Sequence, residues 1–351
     1  MSAARESARA HVPLAVVERD GREESVHAGS IAVVDASGRV VASAGSPGHV
    51  AFTRSALKPL QALPFVAAGG PRRLGLSAAQ VAVVCASHSG EAKHQAAVAD
   101  LLARAGCRVD ELRCGAHVPG VYALLDEAPP PPPYSPLAHN CSGKHAGMLA
   151  LCALSGWPRE GYLEPGHPLQ AAIRAAIAGH AGVRAGDLVP AIDGCSAPNY
   201  ALPLSGLARA YARIARADDG GSDAAARRTI FDAMSAHPDY VSGVRRFDLA
   251  LMRAGRGDWV AKVGAEGVQA VGLRREGLGI AIKVADGAGR ALPPATVAAL
   301  EALGVLDDEA RRELAPWARP VLHNARGLPV GGLRSEIVLD KHPVSGGAAG
   351  R

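Results

Sequence analysis

The stretch WVAKVGAEGVQAVGL (259–273), followed after a polar break by GLGIAIKVADG (277–287), decides the fold. Apolar residues alternate with small or polar ones through both segments, and glycines punctuate them. Such period-2 patterning, rich in β-branched residues, predicts antiparallel strands joined by short turns. The other end of the chain reads the same way, in VPLAVVERDG (12–21) and SIAVVDASGRVVASAG (30–45). In the second of these, two β-branched runs flank Ala36-Ser37-Gly38, a hairpin signal. Between the two ends the pattern is helical, over 55–68, 77–87, 91–105, 141–156, 167–182, 201–216 and 224–236. Helices at 294–303 and 307–315 and a last strand at 333–339 complete the reading. Strands at both ends with helices between predict an α+β fold, a single domain over 1–351 whose N- and C-terminal strands share one antiparallel sheet with helices packed on it. APPPPPY (128–134) is expected to be a stiff spacer, RADDGGSD (216–223) a surface loop, and the tail 344–351 disordered.

Composition narrows the classes of function. The 351 residues are 48% hydrophobic and 20% charged, enough for a substantial core. The net charge is +5, but no basic run exceeds a pair such as Arg72-Arg73 or Arg245-Arg246, and aromatics are 4%. Scattered arginines without interleaved aromatics argue against a nucleic-acid partner. No stretch approaches the 18 or so apolar residues of a membrane span, and residues 1–21 lack the apolar core of a secretory signal. Six cysteines in a chain this long do not make a disulfide scaffold, so a cytoplasmic protein with reduced thiols is expected.

Lysine is rare: six of the 38 basic residues, namely Lys58, Lys93, Lys144, Lys262, Lys283 and Lys341. A chain that carries its charge on arginine has little need of lysine for solubility. Lysine, unlike arginine, can give up its proton when desolvated. In FTRSALKPLQALP (52–64), Pro59 belongs in the first turn of a helix, which puts Ser55 near the helix start and Lys58 one turn on. A serine needs a base to act as a nucleophile, and burial beside a helix N-terminus pushes a lysine toward that role. A plain helix cap followed by a solvated lysine would give the same pair. Two further stretches favour chemistry. VVCASHSGEAKHQ (83–95) sets Ser87 and Ser89 where a buried helix breaks into a glycine-containing loop. Lys262 sits inside an apolar strand two residues before Gly264, so it either snorkels at an edge or faces a site. Ser-x-x-Lys, a later serine and a late-strand Lys-x-Gly together resemble the serine β-lactamase and penicillin-binding group.

HNCSGKHAGML (139–149) and DGCSAPNYALPL (193–204) each open with a cysteine at the mouth of an element. Cys141 and Cys195 could offer two thiolates to zinc, with Lys144, His139, His145 and Asp193 as local candidates to complete the shell. Two small residues buried near turns would read the same way.

Taken together, FTRSALKP, CASHSGE, HNCSGKHAGML, DGCSAPNYALPL, AHPDYVSG and AKVGAEGVQAVGL resemble the L-asparaginase II family of the zinc-containing bacterial type, related in fold to serine β-lactamases and DD-peptidases. The resemblance implies hydrolysis of L-asparagine to L-aspartate and ammonia through a serine–lysine acyl-enzyme. It implies two pairs, Ser55 with Lys58 and Ser87 with Lys262, and a zinc ion on Cys141, Lys144 and Cys195 that does not generate the nucleophile. Asp193 lies next to metal and substrate in this scheme, with Arg54, His88 and Gly264 as further candidate substrate-binding residues, and the protein is a homodimer. Only three threonines occur, Thr53, Thr229 and Thr296, none in a Thr-Gly-Gly context, so a threonine nucleophile is not expected. The alternatives are a β-lactam or peptide acyl-transfer enzyme of the same fold, or a catalytically silent, zinc-stabilised binding protein.

Overall fold

The computed structural model describes residues 11–217 and 220–342. The tail 344–351 and part of the 216–223 segment lie outside those residues. Twelve strands are present among the described residues: β1 (Val12–Arg19), β2 (Arg22–Asp35), β3 (Val40–Ala44), β4 (Val50–Phe52), β5 (Pro190–Ile192), β6 (Pro198–Pro203), β7 (Trp259–Gly264), β8 (Val268–Leu273), β9 (Leu278–Val284), β10 (Val321–His323), β11 (Pro329–Ser335) and β12 (Asp340–Lys341). Nine of them form one mixed-origin sheet in the order β10-β11-β1-β2-β9-β8-β7, with β3 and β12 branching from β2. Every pairing is antiparallel. The strands of the two chain ends thus share a sheet, as the alternating pattern predicts.

The long strand β2 curls that sheet. Its first half, Arg22–Gly29, pairs with β1, and its second half, Gly29–Asp35, pairs with β9 on one side and β3 on the other. Strands β8 and β9 and the second half of β2 are buried on both faces, which explains their near-continuous Val, Ile and Ala. One face is covered by the helix Leu204–Ala215 and the other by the helices Leu292–Ala302 and Asp308–Ala318. Gly279 permits the first contact: a Cβ there would lie 1.9 Å from the Ala208 carbonyl oxygen. Buried apolar residues from Leu14 to Leu339 make one contiguous cluster.

Five helices position the site. They are α1 (Lys58–Ala67), α2 (Ala78–Val84), α3 (Ser142–Ser155), α4 (Leu204–Ala215) and α5 (Phe247–Ala254). Ser77 caps α2 in a reciprocal capping box with Gln80. The structure corrects three sequence expectations. Helix α1 begins at Lys58, and Ser55 lies in a preceding 3-10 turn, Arg54–Leu57. The span 201–216 opens with the end of strand β6 before α4 starts. The last expected strand, 333–339, is shifted to 329–335. A three-stranded sheet, β4-β6-β5, had no forecast. No described helix is long and apolar enough to cross a membrane, and all six cysteines are buried and unpaired.

Candidate active site

Lysine is almost never fully buried unless it is paired or functional. Here Lys58, Lys144 and Lys262 are 1%, 3% and 0% exposed. They come from α1, α3 and β7, and their charges influence one another. Half of a small lysine complement has been withdrawn from solvent into one region.

Lys58 Nζ lies 2.6 Å from the Ala86 carbonyl, 3.4 Å from the Asn140 carbonyl and 2.8 Å from Ser87 Oγ. Burial pushes its pKa down, the Lys144 charge pushes the same way, and Cys141 and Cys195 resist. A neutral amine has two hydrogens and one lone pair. Deprotonated, the amine would keep its hydrogens for the two carbonyls and turn its lone pair to the Ser87 hydroxyl. This corrects the implied pairing: the hydrogen bond joins Lys58 to Ser87, rather than to Ser55. Lys262 Nζ donates instead to the Val263 carbonyl, at 2.8 Å, and faces Asp248 Oδ2 at 3.9 Å. Burial lowers its pKa to about 7 against the pull of Asp248. The break between α2 and the next helix puts Ser87 at the end of a buried element, as the sequence suggests; Ser89 turns away to Glu91 Oε1 at 2.7 Å.

Ser55 is half-buried and follows a strained residue. Arg54 has φ +48°, a region non-glycine residues rarely enter. Asn199 of β6 holds it there, accepting from the Arg54 N–H at 3.0 Å and donating to its carbonyl at 3.0 Å. The Arg54 side chain donates to Asp193 Oδ1 at 2.9 Å. Burial of Asp193 would raise its pKa, but the Gly194 N–H, Lys144 and Arg54 together hold it low. A depression of about 340 Å³, lined in part by His49, Phe52, Arg54, Glu266 and Lys283, opens on this side. Gly264 brings β7 against the Ser55 turn: a Cβ there would sit 2.6 Å from the Thr53 carbonyl. His88 does not face an open site. Its Nδ1 accepts from the Gly90 N–H at 3.1 Å, its Nε2 meets Ser142 Oγ at 2.9 Å, and its ring stacks on His94. Burial keeps it neutral, so both ring nitrogens serve the scaffold.

The two thiols and the third lysine also converge. Lys144 Nζ is 2.9 Å from Cys195 Sγ. Cys141 is held well below an ordinary thiol by a hydrogen bond with Cys195 first and by Lys58 and Lys144 next. Lys144 keeps a raised pKa because Cys141, Cys195 and Asp193 together outweigh its burial. Among the described residues no group of three or more His, Cys, Asp and Glu is arranged to hold a metal ion; the cluster has two such donors and a lysine amine. His139 Nδ1 accepts from the Cys141 N–H at 3.0 Å, and His145 Nδ1 bonds the Tyr162 hydroxyl at 2.7 Å. The other ring nitrogen of His145, Nε2, is buried without a partner and lies toward Cys195.

Asn199 and Asp248 had no place in the sequence reading. Both are common polar residues in ordinary elements, and their partners lie far away in the chain.

A family model described as L-asparaginase II matches residues 15–335. No curated protein matches the chain. Solved structures of Mglu do match. The glutamate form is 15% identical, covers 79% of this chain and 61% of its own, and has a TM-score of 0.37. The native form in 4.3 M NaCl is 16% identical, covers 79% and 60%, and has a TM-score of 0.36. The tris and glutamate form is 15% identical and covers 86% and 65%, again with a TM-score of 0.36. This chain therefore spans about three fifths of the length of the first solved chains it matches.

Proposed function

The chain belongs to the L-asparaginase II family, and from that premise we propose that it is an amidohydrolase converting L-asparagine to L-aspartate and ammonia through a serine acyl-enzyme, on a fold akin to the serine β-lactamases. The observation that carries the mechanism is the buried Lys58 amine, 2.8 Å from the Ser87 hydroxyl.

Ser55 is the attacking group, because it is the half-buried serine on the Arg54 side, whereas Ser87 Oγ is committed to Lys58. Its Oγ bonds to the side-chain amide carbon as its proton passes through the Ser87 hydroxyl to Lys58, the amine that Ser87 is bonded to. Collapse of the tetrahedral intermediate breaks the C–N bond, and the nitrogen leaves as ammonia after taking a proton from the Lys58–Ser87–Lys262 set. Water then attacks the ester and releases aspartate. Arg54 and Asp193 are opposite charges at the rim, suited to the carboxylate and ammonium of a free amino acid.

The Cys141, Cys195 and Lys144 donor set fits zinc, a borderline-soft ion that takes thiolate and nitrogen. The unpartnered His145 Nε2 beside it supports that fit. Zinc, when bound, would supply a fixed positive charge that locks these loops and neutralises the thiolates. Lys144 would have to lose its proton to join it. A homodimer is part of the same proposal.

The test is ammonia release from a panel of small amides. L-asparagine should be turned over, and Lys58→Ala should lower turnover by about three orders of magnitude or more. Near-normal release from Lys58→Ala and Ser55→Ala, or covalent capture of a penicillin with no amide hydrolysis, would end this reading.

A further inference from the structure

Asp248 is 2% exposed and lies in the first turn of α5, on the outer edge of the large sheet. Strand β7 is the last strand on that side, so its outward N–H groups have no neighbouring strand. Asp248 takes the place of one. Its Oδ2 accepts the Val263 N–H at 2.8 Å, and its Oδ1 accepts from Gln269 Nε2 at 3.0 Å. The same Oδ2 stands 3.9 Å from Lys262 Nζ, and the two side chains are 1% and 0% exposed. An uncompensated buried carboxylate is expensive. Capping one strand edge could be done by a neutral asparagine, so the charge calls for a separate reason.

We propose that Asp248 is a positioning residue for Lys262: it fixes the backbone that carries the lysine and supplies the nearest buried negative charge, which lets its amine hold a proton for delivery to the departing ammonia. The inference rests on the reading of Lys262 as part of the catalytic set. The other charged or titratable groups acting on Lys262 are Lys58 from α1, Arg246 just before α5, Cys141 just before α3 and Cys85 at the end of α2. Lys58 and Arg246 oppose protonation, and Cys85, held protonated with its pKa pushed up to about 12, supplies no charge. Cys141 favours protonation from the thiol cluster and ranks behind Asp248. Without Asp248 the amine would give up its proton at lower pH.

Asp248→Asn isolates the charge. The asparagine oxygen can still accept from Val263 N–H. Gln269 Oε1, buried and without a partner, can accept from the new amide after the glutamine flips. Six lysines make the Nζ-adjacent carbons resolvable by NMR after lysine-specific ¹³Cε labelling, with Lys262→Arg assigning the signal. In the full-length protein the Lys262 midpoint should fall by roughly one unit or more in Asp248→Asn, and the alkaline limb of kcat/KM should move to lower pH with it. An unchanged midpoint in a variant that melts like the parent would overturn the proposal. Should the asparagine variant fail to fold, Asp248→Glu keeps the charge but moves it, and must displace the midpoint measurably; no displacement overturns the proposal equally. A parent protein without amidase activity would overturn the function proposed above, while the titration would still decide whether Asp248 governs Lys262.

Discussion

Arg54 shows how one residue's backbone can set another's chemistry. Its left-handed conformation sets the direction in which the chain enters Ser55, and Asn199 holds it by both backbone groups. Asn199→Ala removes both bonds and leaves a buried N–H and C=O unpaired, which costs about 1–3 kcal/mol in stability. The loss in kcat/KM should be larger than that, tenfold or more at a temperature where the variant remains folded, because Arg54 is then free to relax to an ordinary backbone. Thermal melting together with ammonia-release kinetics checks both parts; a destabilised variant with normal kinetics would assign Asn199 to scaffold alone. At this scale the sequence was partly legible. Lysine scarcity pointed to Lys58, Lys144 and Lys262 because desolvation leaves a trace in residue choice. It could not show that Lys58 bonds Ser87, 29 positions on, nor that Asn199 clamps Arg54, 145 positions back. Those contacts exist only once β4, β6 and α2 are brought together. For His88, a candidate substrate-binding residue by resemblance, the sequence could not show that both ring nitrogens are engaged within the protein.

Elements long enough to repeat a period were readable, and short ones were not. The helix forecast at 224–236 matches its bounds, and strands β7 to β9 fall where the alternation places them. Strands β4 and β5 are three residues each, too short to display a period of two. The start of α1 was misplaced because Pro59 suits the second position of a helix as well as a later one, and the 3-10 turn ahead of it has no distinct signature. The α4–sheet contact makes a test at this scale. Gly279→Ala would press a methyl into the Ala208 backbone, which cannot yield as a flexible side chain would. It should destabilise the protein by about 1–3 kcal/mol or more. Gly289→Ala, which meets nothing within 4 Å, should stay within about 0.5 kcal/mol. Denaturant titrations of the two variants compare them directly.

For the molecule as a whole, zinc would tie α3 to the loop after β5, two parts of the chain that otherwise meet through side-chain packing. The protein as purified should therefore carry close to one equivalent of zinc by elemental analysis. Cys141→Ser and Cys195→Ser should each lose it and melt at lower temperature. Occupancy should also drop as pH falls, since the metal competes with protons for both thiolates and for the Lys144 amine. Full zinc content in both serine variants would exclude this site. The antiparallel sheet joining the chain ends was legible from the outset, because its strands at both ends are rich in β-branched residues that alternate with small or polar ones. How β2 divides between two sets of partners was not, since pairing depends on neighbours that no local pattern encodes.

The sequestration of three lysines has a practical corollary for attaching the protein to a surface or polymer. Succinimidyl esters and other amine-seeking reagents would find few targets on its exterior: Lys341 stands open, while Lys93 and Lys283 are half-covered and engaged. Coupling through these amines would be sparse and nearly uniform in position, and the groups assigned to turnover would be spared by their own inaccessibility.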